Sequence, residues 1–361
     1  MENLIQAEDA FLLALPPGTL LQAQYEVQRV LGRPGGFGIV YLARDIHLDT
    51  LVAVKEFLPR ELAGRDRDHT TVVAHSGGDR ELFRYGLAQF VQEARTLGKL
   101  SHPNVVRVRS FFEAHGTAYI VMDHYEGRTL LAQLEREGGR LPPVVAVEVM
   151  IRVLDGLAAA HARDILHRDV KPENIYLTRG GHPILLDFGA ARQAVGQKSR
   201  SLTAVLTPGY APVEQYSAQG SKQGPWTDIY ACAAVLYRCV TGDDPPEASD
   251  RVEQDSLEGF VFRVPGIPRH VADAIVRGMA VDRRHRPQSV REFQDLLDPQ
   301  PAAPAPALPP VAPLLGASLA RFRRARPTPR LTVPRFTLPR LAVGVGALVG
   351  LMLLLLALLR R

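Results

Sequence analysis

Only two cysteines, Cys232 and Cys239, occur in the 361 residues. They stand seven residues apart in one apolar stretch, farther than a disulfide tolerates if that stretch is helical, and so read as buried packing residues. Their scarcity excludes a disulfide scaffold and a four-cysteine zinc site, and it fits a reducing compartment. Acidic residues stop at Asp298, after which nine arginines follow unopposed (Arg321, Arg323, Arg324, Arg326, Arg330, Arg335, Arg340, Arg360, Arg361). The formal net charge of +5 is therefore divided: residues 1–298 hold 34 basic and 38 acidic side chains, net −4, and the basic excess belongs to the tail. Positive charge is also lacking before the first short apolar run, in MENLIQAEDAFLLALPPG, which argues against a cleaved secretory signal. Residues 1–298 are thus expected in the cytosol. There is no internal repeat, and 46% hydrophobic content excludes wholesale disorder.

The tail carries the longest apolar run. Leu341–Leu359 is 19 uncharged residues bounded by Arg340 and by Arg360 and Arg361. As a helix it reaches roughly the 30 Å of a bilayer core. It shows no polar face, so it reads as a C-terminal transmembrane helix rather than a core helix. Seven arginines from Arg321 to Arg340 precede it and two follow, which places the N-terminal body in the cytoplasm, with the chain anchored by one pass in the inner (plasma) membrane. Residues 298–340 hold eleven of the 28 prolines and read as a Pro/Ala/Arg-rich juxtamembrane linker.

Between residues 25 and 125 the pattern is mainly strand-like, at YEVQRVL, GIVYLAR, LVAVKEF, VVRVRSFF and AYIVMDHY. One helix interrupts it, over Phe83–Leu100, where Leu87, Phe90, Val91, Ala94, Leu97 and Leu100 recur at steps of three and four. From Arg128 to Leu297 the pattern is mostly helical, as in VVAVEVMIRVLDGLAAAHA, DIYACAAVLYRCVTG and HVADAIVRGMAVD. The expected fold is α+β, with a strand-rich N-lobe (25–125), a helical C-lobe (126–297) and an N-terminal extension (1–24).

Four motifs carry chemistry. Leu31-Gly32-Arg33-Pro34-Gly35-Gly36-Phe37-Gly38 lies between two strands, and glycines there let backbone N–H groups approach phosphates. Lys55 sits in the apolar strand Val52-Ala53-Val54-Lys55, where an inward lysine needs an acidic or phosphate partner; Glu93 on the amphipathic helix is the natural candidate. His167-Arg168-Asp169-Val170-Lys171-Pro172-Glu173-Asn174 is followed by Asp187-Phe188-Gly189. Phosphoryl transfer needs positioning, cations and a proton acceptor more than covalent catalysis. Asn174 and Asp187 offer hard oxygen ligands for Mg²⁺, Asp169 can orient a hydroxyl and take its proton, and Lys171 can reach the transferring phosphate.

With these motifs in this order, residues 25–297 resemble the protein kinase superfamily, specifically the bacterial eukaryotic-like serine/threonine kinases. The resemblance implies ATP and Mg²⁺ (or Mn²⁺) as cofactors and a glycine-rich lid formed by Gly32, Gly36 and Gly38. It also implies an ATP site that includes Val40 and Ala53, with Lys55 on the α- and β-phosphates and paired to Glu93. Met122 falls at the gatekeeper position, and backbone groups of Asp123 and Tyr125 would hold adenine. Asp169 would be the catalytic base and Lys171 the γ-phosphate contact, with Asn174 and Asp187 as metal ligands. Thr207-Pro208-Gly209-Tyr210 looks like the substrate-proximal end of an activation segment, Glu214 would pair with Arg286, and Asp228 would brace the catalytic loop. Lys171 with Thr207 is the pattern of kinases acting on Ser and Thr.

Three departures stand out. The glycine loop has one residue more than the usual pattern, at Arg33-Pro34, and Pro34 lacks an N–H to direct at phosphate. Lys55 and Glu93 are 38 residues apart, with Arg60–Gly78 as extra sequence expected to be a solvated loop. Ala211-Pro212-Val213-Glu214 replaces the usual alanine-proline-glutamate run, with the total spacing from Thr207 to Glu214 kept. Ser199, Ser201 and Thr203, beside Lys198 and Arg200, are candidate phosphosites whose phosphate Arg168 could capture. Ala342, Gly346 and Gly350 recur every fourth residue, a spacing that suits helix pairing in a membrane, so a homodimer through the span or the kinase domain is one expectation. Protein substrates are the expected partners. A nucleotide-binding scaffold without transfer activity is the alternative, supported by Pro34. Nucleic acid is not expected as a partner, because the tail arginines abut an apolar span and have little aromatic interleaving.

Overall fold

The computed structural model describes residues 12–32, 35–198, 206–216, 222–257 and 266–298. The expected span at 341–359, its linker, Arg33-Pro34 and Ser199, Ser201 and Thr203 lie outside these residues. Among the described residues no helix is long and apolar enough to cross a membrane.

The first lobe is built on a six-stranded antiparallel sheet. Its strands are β1 (Leu20–Leu21), β2 (Tyr25–Val30), β3 (Gly38–Asp45), β4 (Thr50–Phe57), β7 (Val108–Ala114) and β8 (Thr117–Asp123), in the order β1-β2-β3-β4-β8-β7. Alternation along β4 explains what the sheet does. Val40 pairs with Lys55 and Ala53 with Met122, and these half-buried residues share one face. The opposite face holds Tyr41, Val54, Glu56 and Tyr119, all buried. Helix α1 (Gly77–Leu97) packs on the Lys55 side, where Phe57 meets Phe83 and Phe90 at ring separations of 5.5 and 5.4 Å.

Two expectations change in this lobe. The helix begins six residues before Phe83, because the Ser76 hydroxyl caps it by accepting from Asp79 N (3.2 Å), and it ends at Leu97 rather than Leu100. The extra sequence is not a solvated loop. Its residues form a hairpin, β5 (Ala63–Arg65) and β6 (Val72–Ala74), whose Leu62, Ala63 and Val72 are buried in the same core as the outer sheet face. The segment before Tyr25 joins this core through Leu15 and Leu21.

The second lobe places β9 (Gly127–Thr129), β10 (Ile175–Thr178) and β11 (Pro183–Leu185) in a small sheet of order β11-β10-β9. Around it lie α2 (Leu130–Arg136), α3 (Pro143–His161), α4 (Ala190–Lys198), α5 (Pro225–Thr241), α6 (Arg269–Gly278) and α7 (Val290–Leu297). Helix α5 is the centre of this lobe's core. It is buried from Thr227 to Leu236, a pattern without a polar face that suits a helix surrounded by others. Cys232 and Cys239 are free and buried on it, as packing residues. Glu214 and Arg286, 5% and 2% exposed, form a two-pronged ion pair (2.7 and 3.2 Å). Removing one partner of such a pair typically costs about 3–5 kcal/mol, because the other charge is left buried.

Candidate active site

The catalytic-loop sequence is held from beneath by one carboxylate. Asp228, fully buried in the first turn of α5, accepts from His167 N (2.9 Å) and Arg168 N (2.7 Å), and its Oδ2 meets His161 Nε2 at 2.7 Å. Burial alone would raise this carboxyl's pKa; the His161 hydrogen bond and charge, then the Arg168 N–H, outweigh it and hold the pKa below the usual carboxylate range. The loop needs this support because Arg168 adopts left-handed backbone (φ 67°), as does Asp187 (φ 52°), a conformation side-chain-bearing residues rarely take.

His167 is a spacer inside the loop. Burial lowers its pKa, so the ring is neutral: Nδ1 accepts from Asp169 N (3.3 Å), and Nε2 donates to Leu186 O (2.9 Å). Its ring packs on Phe188 at 4.5 Å. Gly189 N donates to His167 O (3.0 Å), and a Cβ on Gly189 would stand 3.2 Å from Asp169 Cβ. The two motifs, 20 residues apart in sequence, are thereby locked together.

Three expected residues, Asn174, Lys171 and Thr207, converge on Asp169 above this base. Asn174 Nδ2 donates to Asp169 Oδ2 (2.9 Å) and to Asp169 O (2.8 Å). Lys171 Nζ lies 3.5 Å from Asp169 Oδ2 and 3.3 Å from Thr207 Oγ1, while the Thr207 hydroxyl donates to Asp169 Oδ1 (3.1 Å). Asp187 is bonded to Lys55 across the cleft. Burial opposes both charges, yet their attraction prevails, raising the Lys55 pKa and lowering that of Asp187. Asn174 and Asp187 carry hard oxygens of the kind Mg²⁺ takes.

The expected Lys55–Glu93 pair is not formed in this state. Glu93 Oε2 instead accepts from Ala191 N (3.3 Å) at the start of α4, and it acts on Lys55 only as a secondary attraction after Asp187. The reason is packing. Helix α4 buries Ala191, Ala194 and Val195 against α1, and a Cβ on Gly86 would stand 2.6 Å from Val195 Cγ2 and 2.8 Å from Phe57 Cζ. Nothing in the sequence signalled this helix, which follows Asp187-Phe188-Gly189 directly.

The remaining expected residues line the cleft roof and hinge. Val40 and Ala53 are half-buried on the Lys55 face. Gly38 begins β3 so close to β4 that a Cβ would stand 2.2 Å from Glu56 O, whereas Gly36 faces open space and Gly32 takes φ +67°. Asp123 ends β8 with Arg109 Nε on its carboxylate (2.5 Å), and Tyr125 O accepts from the Tyr176 hydroxyl (3.1 Å). Two contacts that sequence reasoning missed also support the site. His161 has been described, and Gln215 Nε2 donates to Arg168 O (2.8 Å), tying the segment after Thr207 to the loop.

The α1–α4 packing is open to direct test. Val195→Asp would bury an unpaired carboxylate in that interface, at a cost of several kcal/mol. We expect amide exchange over residues 190–198 to quicken about tenfold, with α5 unchanged. Unaltered exchange there would contradict the packed arrangement.

Comparison with known proteins agrees with this geometry. The protein kinase domain family matches residues 25–297. Serine/threonine-protein kinase PknD of Mycobacterium tuberculosis is 36% identical over 271 residues, covering 73% of this chain and 37% of that protein. Serine/threonine-protein kinase pkn2 of Myxococcus xanthus is 32% identical over 297 residues, covering 78% and 33%. The chain thus spans well under half the length of either relative. Among solved structures, the apo form of PpkA-294 superposes with a TM-score of 0.71 at 36% identity, over 79% of this chain and 99% of that one. The Mycobacterium tuberculosis PknI kinase domain gives 0.55 at 25% identity, over 79% and 98%. By motif order, fold and family match, the chain belongs to the protein kinase family.

Proposed function

We propose that this chain is a membrane-anchored serine/threonine kinase that moves the γ-phosphoryl group of ATP to Ser and Thr hydroxyls of proteins. The observation that carries the reading is the convergence of Lys171, Asn174 and Thr207 on Asp169, opposite Asp187. In the reaction an acceptor hydroxyl takes the place of the Thr207 hydroxyl on Asp169, which orients it and receives its proton. The acceptor oxygen bonds to the γ-phosphorus as the bridging bond breaks and ADP departs. Lys171 balances charge on the transferring group. Lys55, released from Asp187, holds the α- and β-phosphates and pairs with Glu93, under the lid of Gly32, Gly36 and Gly38. Val40, Ala53 and the hinge at Asp123 and Tyr125 enclose the adenine. Asn174 and Asp187 would hold Mg²⁺, which supplies charge neutralisation at the phosphates.

The described state is a resting one on this reading, because Lys55 and Asp187 occupy each other and Glu93 is held by α4. Phosphate on Ser199, Ser201 or Thr203 would favour the working state. Arg168 is the receiving group, since its Nε is buried without a hydrogen-bond partner among the described residues. For the tail, support comes from sequence: residues 298–340 form a linker and 341–359 a span, with the kinase domain on the cytoplasmic side. The small residues Ala342, Gly346 and Gly350 would let two spans approach and favour reaction in trans.

The test uses the full chain with Mg²⁺ and labelled ATP. Transfer to a general protein substrate should fall at least about 10²-fold in Asp169→Asn, and mass spectrometry should find phosphate between residues 199 and 203 in the wild type only. ATP binding without transfer would instead favour the scaffold. Separately, the chain should sediment with membranes and become soluble when residues 341–361 are deleted; unchanged sedimentation would contradict the anchor.

A further inference from the structure

The 60–78 insertion reaches the nucleotide cleft from behind. Glu56 is fully buried on the outer face of β4, next in sequence to Lys55 on the inner face. Its carboxylate receives four hydrogen bonds. Arg65 of the hairpin contributes two, Nη2 to Oε2 at 2.5 Å and Nη1 to Oε1 at 2.7 Å; Tyr41 and Tyr119 hydroxyls contribute the others at 2.7 and 2.8 Å. Burial, then the Glu56 charge, raises the pKa of both phenols, so they remain donors. Arg65 also donates to Thr70 O (2.7 Å) and Leu13 O (2.8 Å), while Leu15 N donates to Tyr41 (3.1 Å). One guanidinium thus joins the insertion, the N-terminal segment and the Lys55 strand.

The root of the insertion is tied to the lid. Leu58 N donates to Phe37 O (3.1 Å) and Arg60 N to Gly36 O (3.0 Å), and Gly38 lies directly against Glu56 O. The far end of the insertion is Ser76, the cap of the helix that carries Glu93. A free hairpin would loosen the lid, Lys55 and α1 together.

We infer that Arg65 is a positioning residue for nucleotide binding, acting through Glu56 to fix the glycine-rich lid and the Lys55 strand. This rests on the reading that the cleft takes ATP, so calorimetric titration of the full-length wild type with ATP and Mg²⁺ comes first. Absence of binding there would remove the reading of the cleft itself. Given binding, Arg65→Met, Arg65→Lys and the double variant Glu56→Gln with Arg65→Met are compared, each below its unfolding midpoint. Removing both charges spares the double variant an unpaired buried carboxylate, so it remains folded even where Arg65→Met is not. The inference expects the dissociation constant for ATP to rise at least about fivefold in Arg65→Met and in the double variant, with Arg65→Lys in between. A dissociation constant within twofold of wild type in the folded double variant would overturn it, leaving Arg65 a purely structural residue.

Discussion

Asp228 is the interaction on which the site depends. The catalytic loop must present Asp169 upward while its backbone passes through a left-handed turn at Arg168, and an isolated loop would not hold that shape. Two N–H groups bound to one carboxylate supply the restraint, and that carboxylate sits on the most enclosed helix of the lobe. Because α5 is packed on all sides, the loop inherits its rigidity. Its charge is offset by the two N–H dipoles and by His161, which keeps a buried anion tolerable.

The N-lobe solves a related problem with a different element. A single strand, β4, places Lys55 on the cleft face and Glu56 on the outer face, each a charge that burial would penalise unpaired. Asp187 answers the first and Arg65 the second. The hairpin buries Leu62, Ala63 and Val72 in the same N-lobe core as the sheet and α1. Leu15 and Leu21, from the segment before Tyr25, are buried in this core as well.

Much of this was legible from residue order. Period-two alternation located the five long strands of the N-lobe, and Asp169, Lys171, Asn174 and Asp187 could be chosen because their types and spacing serve one reaction. The pairing of Glu214 with Arg286 and the bracing by Asp228 also appear as the family resemblance implied. What could not be read depended on long-range packing. The insertion looked solvated because Arg65, Asp66, Arg67 and Asp68 dominate its composition, and nothing local shows that one of these four enters a core while others stay exposed. Helix α4 was equally hidden, since it is held by tertiary contacts of three small or branched residues with α1 and carries only a weak apolar pattern of its own. The same packing explains why Lys55 faces Asp187 in this state, although the sequence pointed to Glu93.

The central claim is that Asp228 holds the loop in working geometry. It is tested most directly by the turnover of Asp228→Asn in the full chain at saturating ATP. The substitution preserves size and one acceptor oxygen but removes the charge shared by His167 N, Arg168 N and His161. A displacement of the catalytic group of about 1 Å can cost about 10²-fold. The account predicts a fall in kcat of that order with ATP affinity and circular dichroism retained; wild-type kcat in the folded variant would contradict it.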